Sequence, residues 1–264
     1  MDKKVFFSVI VVSLNAGDKL LDTVNSILTQ DYENYEIIVK DGFSKDGSVE
    51  KLPNNIKVNV YQEKDSGIYE AMNQAVSKVK GDYLLFLNCG DTFHDATVLH
   101  KTANYIENDG EHGIYYGNTY CEKTHSTVIS SPKITPFTCY RNIPCHQSCF
   151  YRKDLLVNKP YDLRFRIRAD YDHFLWCYFK ADAKPLHMDL VVADYEGGGY
   201  SESKANQKRD KEEHNLIVKA YMTKGQRLKF AFMMAITLAP LRRFLAEKTP
   251  LSGIYNKIKA GLYR

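Results

Sequence analysis

Val5–Val12 is a nearly unbroken apolar run, as expected of a strand buried on both faces. Leu20, Leu21, Val24, Ile27 and Leu28 then fall on one side of a 3.6-residue period, which predicts a helix with Asp18 as its N-cap. Glu36–Lys40 reads as a second strand ending at Asp41-Gly42. Ile56, Val58 and Val60 alternate as a third, less buried one. Ile68, Met72, Ala75 and Val79 give a second helical stripe stopped at Gly81, and Tyr83–Leu87 a fourth strand. This β-α-β-β-α-β order predicts an α/β, doubly wound, mostly parallel sheet, whose ligands bind beyond the carboxyl ends of the strands. Three polar clusters sit at that edge: Ser13-Leu14-Asn15, Asp41-Gly42, and Asn88 through Asp91.

The second half is less regular. Residues 96–106 read as a helix, 114–120 and 127–131 as strands, 170–179 as a helix and 186–195 as a strand. Gly197-Gly198-Gly199 then precedes Tyr200-Ser201, a composition suited to a mobile lid. Residues 208–222 form a charged helix, and from Leu228 to Ala246 the chain is first apolar, then basic. The pattern divides into an α/β body over residues 1–204 and a basic, helical C-terminal extension over residues 205–264.

At 264 residues the chain makes one large domain, or one domain with an appendage. With 44% apolar and 26% charged residues it is not a disordered, collagen-like or coiled-coil protein. The net charge of +4 conceals an asymmetry: residues 1–204 carry 23 Lys/Arg against 28 Asp/Glu, residues 205–264 carry 13 against 4. The extension is therefore expected to meet something anionic. Its apolar run, Phe230–Leu241, falls short of the roughly 20 residues that span a bilayer, and Lys224, Arg227, Lys229, Arg242, Arg243 and Lys248 flank it. That suits a helix lying in the membrane interface; packing on the body, or on a second copy in a homodimer, is the alternative. Nothing in the pattern calls for nucleic acid. The opening MDKKVFFSVIVVSLN has no signal-peptide cleavage site, so the expected location is cytoplasmic, peripheral at the inner face of the cell membrane. Free thiols are then the default for the six cysteines. Cys145-His146-x-x-Cys149 lacks a second ligand pair, and no structural zinc is expected.

There is no G-x-G-x-x-G after the first strand and no G-x-x-x-x-G-K-[ST], so a dinucleotide site or phosphate loop of those kinds is not expected. Carboxylates end two strands instead. A carboxylate accepts hydrogen bonds from a ribose hydroxyl or an imide N–H, and with a divalent cation it holds a pyrophosphate. Both tasks belong to a nucleotide-sugar site.

Five segments in register carry a family resemblance: Ser8–Asn15, Ile38–Ser48 (IVKDGFSKDGS), Glu63–Asn73 (EKDSGIYEAMN), Gly81–Asp91 (GDYLLFLNCGD) and Arg168–Asp172 (RADYD). Together they resemble the family 2 glycosyltransferases of bacterial surface-polysaccharide type. The resemblance implies a GT-A fold, a nucleotide-diphosphate sugar donor, Mn²⁺ or Mg²⁺, and transfer with inversion to a saccharide or polyprenyl-linked hydroxyl. It makes residues 1–95 the donor half and 96–204 the acceptor half of a catalytic domain.

The resemblance carries over residue by residue. Ser13 and Asn15 lie at the donor edge. Asp41 matches the Asp that faces the donor base and ribose, and Asp65 the acidic residue at the base, with Gly67 letting the backbone approach. Asp46 and Asn73 are as readily a turn and a loop anchor. Asn88-Cys-Gly-Asp91 stands where the family has D-x-D, so Asn88 lies at the donor and Asp91 alone remains as metal ligand. Asp170 matches the catalytic Asp, with Ala169 where Glu is common. Asp172 reads as an acceptor orienter or a helix N-terminal charge. His146 and Gln147 are placed at the acceptor or diphosphate, as is Tyr200. Trp176, Tyr178 and Phe179 read as core packing. Two other readings stay open: a nucleotidyltransferase, which lacks here its basic loop after the first strand, and a sugar- or membrane-binding module without chemistry.

Overall fold

The computed structural model describes residues 4–197 and 206–236. Among them nine strands form one sheet: β1 (Phe7–Ser13), β2 (Tyr35–Asp41), β3 (Val58–Gln62), β4 (Tyr83–Phe86), β5 (Thr92–Phe93), β6 (Ile114–Cys121), β7 (Ser126–Val128), β8 (Cys149–Arg152) and β9 (Leu186–Tyr195). Their order is β3-β2-β1-β4-β8-β6-β9-β5, with β7 paired to β6. The helices are α1 (Asp18–Leu28), α2 (Ile68–Val76), α3 (Val98–Asp109), α4 (Pro136–Arg141), α5 (Lys153–Asn158), α6 (Ala169–Phe179), α7 (Gln207–Tyr221) and α8 (Lys224–Ile236). The first four strands pair in parallel, and β8 then joins β4 and β6 antiparallel.

Alternate residues of the central strands enter separate cores. Val9, Val11, Ile37 and Val39 pack with Leu20, Val24 and Ile27 of α1, while Ile10, Ile38, Leu84 and Phe86 pack with Met72 of α2 and Phe174 of α6. A sheet covered on both faces demands the continuous apolar strands that the sequence shows.

Four local expectations need correction. Asp18 is the first helical residue rather than the cap: Gly17 caps α1 with φ of 61° and no side-chain bond, and its N–H donates to Asp46 Oδ2 at 2.8 Å. Ile56 is 97% exposed and outside β3, which starts at Val58. The second helix ends at Val76, before Val79 and Gly81. β7 ends at Val128, because Ser130 turns inward to donate to Gly117 O and Asn118 Oδ1.

The described part of residues 205–264 packs against the body. α7 buries Ile217 and Val218, and Phe230 of α8 rests on Phe137 and Tyr140. Trp176, Tyr178 and Phe179 pack partly buried against the same core, the Phe179 ring stacked on Tyr221. Among the described residues no helix is long and apolar enough to cross a membrane.

Candidate active site

The parallel register brings the ends of β1, β2 and β3 to one edge, Ser13 beside Asp41 and Asp41 beside Gln62. Asp41 is fully buried. Its carboxylate accepts from the Ser44 N–H (2.8 Å), the Ser44 hydroxyl (2.5 Å) and Gln62 Nε2 (3.2 Å). Ser44 Oγ in turn accepts from the Asn15 N–H at 2.7 Å, and Asn15 Oδ1 from the Lys45 N–H at 2.9 Å. Asn15 therefore stitches two loops together, with a left-handed φ of 48°. Among the described residues the buried Ser13 hydroxyl makes no hydrogen bond. Asp46 anchors the turn through Gly17 and Ser48.

Asp65 forms an ion pair with Lys40, whose side chain is 1% exposed at the end of β2. A buried ammonium requires such a partner. The other Asp65 oxygen accepts from the Gly67 N–H at 3.2 Å, and Gly67 sits at φ 150°, a conformation that favours glycine. Asn73 faces inward and exchanges both hydrogen bonds with the Tyr161 backbone at 2.9 Å.

The loop after β4 turns back on itself, the Asp91 N–H donating to Asn88 O at 2.9 Å. The Thr23 hydroxyl donates to Asp91 O at 2.8 Å and so ties the loop to α1. Asp91 is 4% exposed and accepts from Gln147 Nε2 (2.8 Å) and the Glu196 N–H (3.2 Å). Burial pushes its carboxyl above the ordinary range, against the bonds from Gln147 and Glu196. Asn88 Nδ2 meets His146 Nε2 at 3.1 Å, while Asn88 Oδ1 is buried without a hydrogen-bond partner among the described residues.

Asp170 lies in the first turn of α6, where free backbone N–H groups favour negative charge. Oδ2 is 3.6 Å from His146 Nδ1, and Oδ1 is 2.9 Å from the Tyr69 hydroxyl, which also reaches Ile167 O at 2.7 Å. Burial acts to raise the Asp170 carboxyl, but His146, Tyr69 and the Tyr171 N–H outweigh it and hold the pKa below the usual range.

His146 and Gln147 are thus consecutive residues of one short 3-10 turn, one facing Asp170 and the other bonded to Asp91. Asp172 is elsewhere. It points to Lys159 (3.1 Å) and the Tyr221 hydroxyl (3.1 Å), linking α6 to α7. Tyr200, with Gly198, Gly199 and Ser201, lies outside the described residues.

Several groups escape sequence reasoning. Lys40 carries a signal, the one basic residue in the buried run of β2. Tyr69 carries none beyond its place after Gly67. Glu213 of α7 is 6% exposed and accepts from the N–H groups of Arg166, Ile167 and Arg168 at 2.9 Å each, while Asp210 makes a two-pronged pair with Arg168. The extension therefore holds the loop that leads into α6 and Asp170.

The fit of a divalent cation rests on Asp91. Two accepted hydrogen bonds leave part of the carboxylate's capacity free, and among the described residues no three His, Cys, Asp or Glu side chains form a metal group. Such a site suits a hard cation that takes its remaining ligands from a diphosphate and water.

Comparison with known proteins adds to this geometry. The family model described as glycosyl transferase family 2 matches residues 8–168. A PGL/p-HBAD biosynthesis glycosyltransferase of Mycobacterium bovis (strain BCG / Pasteur 1173P2) is 32% identical over 202 residues, 74% of this chain and 78% of that protein. The crystal structure of S. aureus TarS 1-349 in complex with UDP-GlcNAc superposes with a TM-score of 0.68 at 20% identity, over 85% of this chain and 70% of that one. The mannosyltransferase PcManGT from Pyrobaculum calidifontis, in complex with GDP-Man and Mn²⁺, gives 0.64 at 13% identity, over 99% and 88%. At these identities the structures establish a shared fold.

Proposed function

The chain belongs to glycosyl transferase family 2 and is a glycosyltransferase; from that premise we propose that it moves a sugar, with inversion, from a nucleotide-diphosphate donor to a hydroxyl of a saccharide or lipid-linked acceptor. The observation that carries this reading is the 146–147 turn, which draws Asp91 and Asp170 to one place.

Asp41, Asp65 and the Ser13 hydroxyl receive the nucleoside at the ends of β1, β2 and β3. Asp91 would hold Mn²⁺ or Mg²⁺, which when bound neutralises charge on the departing diphosphate. Asp170 accepts the proton of the acceptor hydroxyl as that oxygen bonds the anomeric carbon, on the face opposite the breaking bond to the diphosphate. A base must be ionised to act, and a lowered pKa keeps Asp170 so at neutral pH. Tyr69 bonds one of its oxygens and His146 faces the other, which orients the carboxylate for attack.

The relative is named for PGL/p-HBAD biosynthesis, and the two solved structures hold UDP-GlcNAc or GDP-Man, which supports a nucleotide-diphosphate sugar as donor. We further propose that the protein works at the inner membrane face, with residues 1–95 as donor half and 96–204 as acceptor half. Leu216, Leu228 and Phe232 are exposed on α7 and α8, amid Lys219, Lys224, Arg227 and Lys229, an arrangement suited to an anionic lipid surface.

The test is donor turnover with Mn²⁺ or Mg²⁺ by the wild type, Asp170→Asn and Asp91→Ala. Loss in both variants is expected; undiminished turnover in both removes the site assignment. A nucleotidyltransferase would instead release pyrophosphate from a nucleoside triphosphate.

A further inference from the structure

Asn88 stands where the family resemblance places an acidic residue, and its side chain meets His146 Nε2 at 3.1 Å. On the far side of that ring, Nδ1 faces Asp170 Oδ2 at 3.6 Å. A neutral imidazole carries one N–H and one lone pair, so the partner at one nitrogen decides what the other presents. A carboxylate only accepts. With the Asn88 amide nitrogen turned toward Nε2 and the ring neutral, the proton sits on Nδ1, toward Asp170, and the Nε2 lone pair accepts from the Asn88 amide.

We infer that Asn88 is a positioning residue that sets the His146 tautomer, so that Asn88, His146 and Asp170 form a relay holding the base; this rests on the reading of Asp170 as base. An Asp at position 88 would have no proton to offer Nε2 at neutral pH. It would draw the ring proton to Nε2 and turn the Nδ1 lone pair against the Asp170 carboxylate. The departure from the acidic pattern at position 88 thus has a chemical reason within this chain. The 3.6 Å gap is wider than a hydrogen bond, and contacts of this kind commonly tighten when the substrate arrives. The buried Asn88 Oδ1, without a partner among the described residues, can accept from a donor hydroxyl or water. Since Gln147 follows His146 and bonds Asp91, one turn aligns the base with the diphosphate end.

The tautomer is read without turnover, by ¹⁵N chemical shifts and two-bond couplings of histidine-labelled protein, with His146 assigned by its absence in His146→Gln. The wild type at neutral pH is expected to show Nδ1–H. Asn88→Asp is expected to show Nε2–H or the doubly protonated ring, with kcat roughly 10- to 100-fold lower and donor KM changed far less. Asn88→Gln, which keeps the amide, should retain more kcat than Asn88→Ala. An Nε2–H ring in the wild type, or an unchanged tautomer in folded Asn88→Asp, overturns the inference. Failure of the base assignment gives a different result, full turnover in Asp170→Asn.

Discussion

Asp91 and Asp170, far apart in the chain, are held by neighbouring side chains of one turn: Gln147 donates to Asp91 at 2.8 Å, and His146 lies 3.6 Å from Asp170. A turn of that kind couples the two ends of the reaction. Displacing it should disturb cation use and proton acceptance together.

The first prediction concerns pH. Asp170 has its pKa lowered in the folded enzyme, so the base is ionised above that value and kcat/KM falls only as pH drops through it. The acid limb should lie below the ordinary aspartate value of about 3.9. In His146→Gln the burial that raises the carboxyl is less opposed, and the limb should move upward. A limb that stays in place in the variant contradicts the assignment.

The Lys40–Asp65 pair separates structure from recognition. Asp65→Ala leaves a buried ammonium alone and should cost about 3–5 kcal/mol of unfolding free energy. Lys40→Met with Asp65→Leu should recover most of that stability, because an apolar pair replaces a buried ion pair. Donor affinity should remain lost in both proteins. Denaturant unfolding beside nucleotide titration would show the split.

Glu213 accepts three backbone N–H groups just before α6. Glu213→Ala strands them and should lower stability by roughly 2–4 kcal/mol, with a fall in kcat larger than the change in donor KM. A variant of unchanged Tm and activity would show that the extension does not hold the loop before α6.

Donor and cation should stabilise the fold together. A nucleotide sugar at about 100 times its Kd adds roughly 2.7 kcal/mol, read as a rise in Tm. Mn²⁺ should strengthen that rise in the wild type and have little effect in Asp91→Ala.

Membrane docking is tested with vesicles. Wild-type protein should sediment with vesicles containing phosphatidylglycerol, and less at high salt. Leu228→Glu with Phe232→Glu should abolish sedimentation while turnover of a soluble acceptor persists. Equal binding by the variant would place any membrane contact elsewhere.

The order of the first six elements, the polar edge and the carboxylates at it were legible in the sequence, for reasons that are local. Burial on both faces leaves β1 and β2 as apolar runs, and one buried face leaves a 3.6-residue stripe on α1. Boundaries were less legible. Gly17 rather than Asp18 caps α1, since Asp46 supplies the bond from a distant loop. The spacing of Asp170 and Asp172 set them on different faces of α6, but not which neighbours each would meet.

By itself, the sequence determined the apolar strands and helix faces, the polar positions at the strand ends and the chemistry they bring. The tertiary structure alone decided that Lys40 neutralises Asp65, that Tyr69 and His146 flank Asp170, that Lys159 and Tyr221 take Asp172, and that Glu213 secures the loop before α6. The reason is physical. Periodicity records only whether a side chain faces inward, whereas its partner depends on how separate helices pack across the sheet, a relation between positions that no local pattern encodes.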